Sequence, residues 1–163
     1  MSPTTAPTSA HTSAPGAAVG AESACYACER VIRFSDCDPA GIVFYPQYFV
    51  MLNGVVEDWF THALGLNYAT LIGPRRIGLP TVHLEADFKA VSRHGDMVRL
   101  LLSVERLGAR SMTLQVRCVG AQDGQLRMAV RLVIVTTSLL SHQAIDIPAD
   151  LREAIARHAG IVQ

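Results

Sequence analysis

Hydrophobic residues change their spacing several times along this chain, and each change marks an element. Tyr26 to Phe34 reads as a first strand, with Val31 and Ile32 set between charged residues. The next stretch, Ser35-Asp36-Cys37-Asp38-Pro39-Ala40-Gly41, is a cluster of turn formers and predicts a loop. From Pro46 the period becomes helical. Tyr48, Phe49, Leu52, Val55, Val56, Trp59, Phe60 and Ala63 follow the i, i+3, i+4, i+7 pattern, and Asn53, Glu57, Asp58 and Thr61 take the other face. Pro46 suits a first turn and Gly65 a stop. Gly54 lies inside this helix at a propensity cost of about 1 kcal/mol, which predicts that another backbone passes close to it.

Beyond a loop through Gly73 and Pro74 the pattern is almost all strand. Val82, Leu84, Ala86, Phe88 and Ala90 alternate with polar neighbours. Asp96 to Leu107 is more apolar, as expected of a central strand covered on both faces. Met112 to Cys118 alternates again, Asp123-Gly124 predicts a hairpin turn, and Leu126 to Thr137 runs back antiparallel. Leu151 to His158 closes the chain as a short helix with Asp150 as its N-cap. One strand, one long helix and a meander of about four strands predict an α+β domain with the helix on one face of an antiparallel sheet.

Composition narrows what such a domain does. Half of its 163 residues are hydrophobic, which suits one domain with a real core. Fourteen basic residues balance fourteen acidic ones, so neither nucleic acid nor an anionic membrane is the expected partner. No run of about 18 apolar residues is present. Residues 1–24 are Ala, Thr, Ser, Pro and Gly with scarcely a bulky apolar group, and they read as a disordered tail before a domain at 25–163. That stretch has neither the basic start and apolar centre of a signal sequence nor the arginines of a transit peptide, so a cytoplasmic location is expected. Cys25 and Cys28 have C-x-x-C spacing, but no second pair matches it, and all four cysteines read as reduced thiols. The histidines have no metal spacing, so neither a metal nor a cofactor is expected; His83, on the polar face of its strand, faces substrate, a neighbouring subunit or solvent.

The chemistry concentrates between Phe34 and Phe49. Asp36 and Asp38 precede a Gly-containing turn and a helix N-terminus, whose free N–H groups and partial positive charge suit a developing oxyanion. A carboxylate there serves as general base on water or attacks an acyl carbon itself. The same spacing is also that of two aspartates that only form Asx turns and cap the helix.

This stretch closely resembles the 4-hydroxybenzoyl-CoA thioesterase family, whose signature D-C-D-P-A-G-I-V precedes an aromatic residue, Tyr, Pro and a further Tyr. Asp36 to Val43 reproduces it unbroken, and Phe44, Tyr45, Pro46 and Tyr48 follow in register. The resemblance implies a hotdog fold, a long helix wrapped by an antiparallel sheet, and hydrolysis of an acyl-CoA thioester, the acyl group an aroyl. It implies Asp38 as the catalytic carboxylate, the Tyr45 N–H as oxyanion donor, and Asp36 as a residue that holds the loop. Substrate contacts are implied at Gly41, Asn53, Arg110 and Ser111. Asn53 stands where the family has a carboxylate for a ring hydroxyl, and Leu79 where it tends to have a small hydroxyl residue. Gly108 and Ala109 replace two cations of the family's nucleotide-binding run, leaving Arg110 and Ser111 in register. Phosphate binding by Arg110 and a solvated arginine at a hairpin end both fit that position. The family also implies a homo-oligomer, dimer or tetramer, with a site completed by a neighbouring subunit. Competing readings are a short-chain thioesterase of the Tol-Pal-associated branch, a hotdog hydratase or dehydratase, and a non-catalytic acyl-CoA binding module. The first carries a His in the turn after the Asp and the second needs an Asp and His pair, but Gly41-Ile42-Val43 offers none.

Overall fold

A computed structural model describes residues 25–161; the expected tail at 1–24 lies outside the described residues. Strand β1 (Cys25–Val31) leads through a 3-10 turn at Phe34–Asp36 to helix α1 (Tyr45–Asp58), which continues as a π-helical turn at Trp59–Ala63. A short α2 (Tyr68–Ile72) and β2 (Ile77–Gly78) precede the strands β3 (Thr81–Phe88), β4 (Met97–Leu107), β5 (Ser111–Gly120) and β6 (Leu126–Val135). Strand β7 (Thr137–Ser138) and helix α3 (Ala149–Ala159) follow. The five long strands form one antiparallel sheet in the order β1-β4-β5-β6-β3, and β2 pairs with β7 apart from it. This is the hotdog fold, of α+β class.

The core lies between α1 and one face of the sheet. Tyr48, Met51, Leu52, Val55 and Val56 of α1, with Trp59 and Phe60 of the π turn, are buried among Leu100, Leu102, Leu114, Val116 and Leu132. Each such side chain contributes about 1.5–3 kcal/mol by leaving water. The helical period predicted from sequence is therefore the stripe that meets the sheet.

Several expectations need correction. The strands are not a simple meander: β4, β5 and β6 are consecutive neighbours, but β3 lies at the far edge against β6. Alternation reports which face a residue takes and carries nothing about which strand is its neighbour. The first strand stops at Val31, where Ile32 bonds to Asp96 and the chain tightens into the 3-10 turn. Strand β4 is buried on one face only, with Arg99 exposed on the other. No backbone crowds Gly54, where an added Cβ would meet nothing within 4 Å. Asp150 is not the N-cap of α3. Pro148 takes that place, and Asp150 sits in the first turn, where it accepts both hydrogen bonds of the Arg75 guanidinium at 2.7 and 2.9 Å. A carboxylate is favourable there too, because the helix N-terminus carries partial positive charge.

Strand β3 is unusual for its alternating sequence. Every residue but Ala86 is exposed, including Val82 at 60% and Phe88 at 47%. Its outer edge has no strand beside it among the described residues.

Candidate active site

Residues 37–43 form a small hairpin that ends at the start of α1. Cys37 bridges Val43, and the Asp38 N–H donates to the Ile42 carbonyl at 3.0 Å. The turn between them closes through the Gly41 N–H to the Asp38 carbonyl at 2.9 Å, with Gly41 at φ +76°. That left-handed backbone is what the Gly of the motif supplies, since a Cβ there would be strained.

Asp36 and Asp38 now separate in role. Asp36 is buried, accepts from the Arg33 N–H at 2.8 Å and lies 3.8 Å from the Arg30 guanidinium, while its carbonyl accepts from Phe44. It ties the loop at both ends. Asp38 is half-buried and accepts from the Ala40 N–H through Oδ1 at 2.8 Å, an Asx turn. Among the described residues its other oxygen makes no hydrogen bond or ion pair. The turn therefore fixes the carboxylate through one oxygen and leaves the second for chemistry.

Helix α1 starts with a donor to spare. Phe44 is the N-cap residue and gives no side-chain cap; Pro46, in the first turn, has no N–H; Gln47 donates to the Phe44 carbonyl at 2.8 Å. The Tyr45 N–H has no acceptor among the described residues, as the first position of a helix has none within it. An unpaired N–H at a helix N-terminus, a few residues across a hairpin from a carboxylate, is the donor set an oxyanion needs.

Tyr48, the further tyrosine of the motif, and Ser92, which sequence reasoning did not single out, hold this start in place. The Tyr48 hydroxyl donates to Ser92 Oγ at 2.9 Å in a buried contact, and the Ser92 carbonyl accepts from Val43 at 2.9 Å. Burial pushes the Tyr48 phenol above its usual pKa, so it stays a neutral donor. The segment Phe88–Ser92 with Ile42, Tyr45 and Tyr48 lines an apolar cavity of about 330 Å³ beside the hairpin. The Tyr45, Phe49 and Phe88 rings meet edge to face there at 6.2–6.3 Å.

Thus Asp38 and Gly41 share one hairpin that leads directly into the helix start at Tyr45, and the other expected contacts do not join them within one chain. Asn53 is eight residues along α1 from Tyr45, about 12 Å at the helical rise. It lines a separate cleft of about 160 Å³ with Glu57, Tyr68, Leu79 and Thr81. Arg110 and Ser111 are farther still. The site hairpin bridges Arg93, just before β4, whereas these two follow β4, whose eleven residues span roughly 30 Å. Arg110 donates to Asp146 at 2.8 Å, and its turn is held by α3, through Arg152 to the Gly108 and Ala109 carbonyls. Ser111 opens β5, half-buried. His83 pairs with Glu85 at 3.1 Å on the exposed edge strand.

Comparisons with known proteins bear on the fold and the class of reaction. Residues 32–155 match the thioesterase-like superfamily. A 1,4-dihydroxy-2-naphthoyl-CoA hydrolase from Synechocystis is 25% identical over 127 residues, 78% of this chain and 91% of the relative. Among solved structures, the BH1999 gentisyl-coenzyme A thioesterase superposes with a TM-score of 0.72 at 27% identity, covering 80% of this chain and all of that one. A 4-hydroxybenzoyl-CoA thioesterase mutant complexed with 4-hydroxybenzoyl-CoA gives 0.73 at 26%, covering 81% and 99%.

Proposed function

The chain belongs to the thioesterase-like superfamily and is an acyl-CoA thioesterase, and from that premise we propose that it hydrolyses an aroyl-CoA to the free acid and CoA. Asp38 is the catalytic carboxylate and the Tyr45 N–H receives the oxyanion. The observation that carries this reading is the unpaired Tyr45 N–H beside a carboxylate with one unengaged oxygen. In the preferred sequence of steps, the free Asp38 oxygen bonds to the thioester carbon and the CoA thiolate leaves. Water then cleaves the resulting mixed anhydride and restores the carboxylate. A single turnover in ¹⁸O-water that labels Asp38 requires the anhydride, opened by water at the Asp38 Cγ, whereas direct attack by water that Asp38 activates puts the label in the acid alone. The aroyl preference draws on the three relatives above, each named for a hydroxylated aromatic acyl-CoA.

The protein works as a homo-oligomer, a dimer or a tetramer, with β3 edges joined about a two-fold axis. Antiparallel pairing over the full strand brings the Thr81 end of one copy beside the Phe88 end of the other. The cleft that holds Asn53 and Thr81 then meets the partner's cavity at Phe88–Ser92 and its Tyr45. One site thus takes its carboxylate from one subunit and its acyl-binding wall from the next. The decisive assay follows release of the CoA thiol from benzoyl-, 4-hydroxybenzoyl-, 1,4-dihydroxy-2-naphthoyl- and short aliphatic acyl-CoAs. Turnover of aroyl-CoAs above aliphatic ones is expected, and the reverse order would overturn the substrate class.

A further inference from the structure

Tyr48 and Ser92 make a polar contact where an apolar one would serve the fold as well. Both are buried, at 4% and 1% exposure, on the wall of the apolar cavity beside the hairpin. The Tyr48 ring packs on Phe88 at 5.7 Å, and its hydroxyl donates to Ser92 Oγ at 2.9 Å. Exchanging both partners of such a bond for apolar groups of the same shape is close to neutral for stability, because folding takes both hydroxyls from water. What the bond adds is direction. A hydrogen bond holds one geometry, whereas apolar packing is non-directional and tolerates small slides.

That direction closes a ring around the Tyr45 N–H. The Ser92 carbonyl accepts from the Val43 N–H at 2.9 Å, and Val43 ends the hairpin that carries Asp38. From Val43 the chain runs through Phe44 and Tyr45 into the first turn of α1, and the Tyr48 hydroxyl returns it to Ser92. Tyr48 stands three residues on from Tyr45, on the same side of the helix. The backbone bond from Phe44 to the Asp36 carbonyl lies before the helix and leaves the roll of α1 to side-chain contacts. One residue, Ser92, therefore grips the hairpin by its backbone and the helix start by its side chain.

We propose that Tyr48 and Ser92 are a pair of positioning residues that set the Tyr45 N–H relative to the thioester carbon, and thereby set kcat for every acyl group the enzyme accepts. This rests on the reading of Asp38 and Tyr45 above. In this role neither hydroxyl touches the reacting atoms. The Tyr48 hydrogen is given to Ser92, so the pair moves no proton and acts through the helix start alone. The developing oxyanion is common to all thioesters, so the effect does not depend on what the acyl group is.

The experiment measures kcat and KM of wild-type, Tyr48→Phe, Ser92→Ala and doubly substituted oligomers on 4-hydroxybenzoyl-, 1,4-dihydroxy-2-naphthoyl- and butyryl-CoA, with melting temperatures alongside. Each single variant is expected to lose about tenfold to a hundredfold in kcat, less than removal of a whole oxyanion donor, which costs about 10²–10³. KM stays within about threefold, as for an interaction realised in the transition state, and the loss is the same on every acyl-CoA that the wild type turns over. The double variant loses no more than either single one, since all three break the same bond. It leaves no hydroxyl unpaired, so it keeps the fold best and decides the matter where a single variant fails to fold. A folded double variant with wild-type kcat overturns the proposal, whatever the melting temperatures do. So does a loss that falls on KM or on one acyl class alone, which would assign the pair to the acyl cavity. Asp38→Asn separates the two failures. Near-normal turnover there overturns the reading of the site and this inference with it, whereas an inactive Asp38→Asn beside an unimpaired double variant overturns the inference alone.

Discussion

At the scale of single residues, Asp38 and Asp36 differ in what their oxygens already do. Asp36 is spent on the loop, with its carboxylate on Arg33 and Arg30. Asp38 keeps one oxygen unengaged. Asp38→Asn is expected to lower kcat by at least about 10²–10⁴ while leaving the fold and CoA binding largely intact, as loss of an acid–base group does, and by more if the residue is the nucleophile. Steady-state assay with circular dichroism and CoA titration checks it, and near-normal turnover would remove Asp38 from the mechanism. Asn53 leads to a second expectation. An amide both donates and accepts, so it discriminates less for a hydroxyl than a dedicated carboxylate in its place. Buried Leu79 adds apolar wall at the same cleft. The para position alone should therefore be favoured by less than about a hundredfold when 4-hydroxybenzoyl-CoA is compared with benzoyl-CoA. A larger ratio would show that Asn53 is misread. The candidate site was legible because its pattern is local: carboxylate, left-handed Gly and helix start fall within ten positions. Ser92 was not legible, since its bond to Tyr48 joins residues 44 apart and exists only in the fold.

At the scale of elements, the periodicity of α1 was read nearly to its end, but its last turn was read as ordinary helix. Trp59–Ala63 widens into a π turn, which lets Trp59 and Phe60 both bury completely. Helix α3 packs there. The Trp59 and His158 rings meet at 5.9 Å, and Trp59 Nε1 and His158 Nε2 are both buried without a hydrogen-bond partner among the described residues. Burial lowers the His158 pKa below its usual value. The unfolded chain thus binds this proton more readily than the native one. The contribution of neutral His158 is complete above about pH 6.5 and is lost as pH falls from there through the lowered native pKa. Asp123 and Asp150, whose pKa values are lowered, first by hydrogen bonds from the Gln125 backbone N–H and the Arg75 guanidinium respectively, add a separate loss only near pH 4 and below. Thermal unfolding between pH 7.5 and 5 should show the melting temperature falling with acidification, and His158→Gln should flatten that slope. An unchanged slope in the variant would assign it to other groups. Neither this contact nor the Asp150–Arg75 pair was visible in the sequence, because i, i+4 patterns report one helix and not its neighbour.

At the scale of the whole molecule, the sequence predicted a helix against an antiparallel sheet but placed β3 in the meander, and that placement conceals the reason for its composition. As an edge strand β3 has β6 on one side only, yet it alternates like a strand with a buried face. Val82, Leu84 and Phe88 form an apolar row that stays largely exposed, although the Tyr45 and Phe49 rings reach Phe88. An open, apolar strand edge invites uncontrolled pairing unless something covers it, and a second copy of the same edge is the self-complementary cover that closes with two-fold symmetry. The functional groups point to the same arrangement. Within one chain Asn53 is too far along α1 from Tyr45 for a single aromatic ring to touch both, whereas two-fold pairing brings the two ends of β3 together. Light scattering of the wild type should therefore give a dimer or tetramer and no active monomer. Val82→Lys with Leu84→Lys places charges on the apolar row of the open edge, which blocks edge-to-edge pairing. It should yield folded monomers whose aroyl-CoA turnover falls by about a hundredfold or more, since misplacing the acyl-binding wall costs that much even where the carboxylate is intact. Monomers of this variant that retain full kcat/KM would show that each chain carries a complete site, and the division of the site between subunits would have to be abandoned.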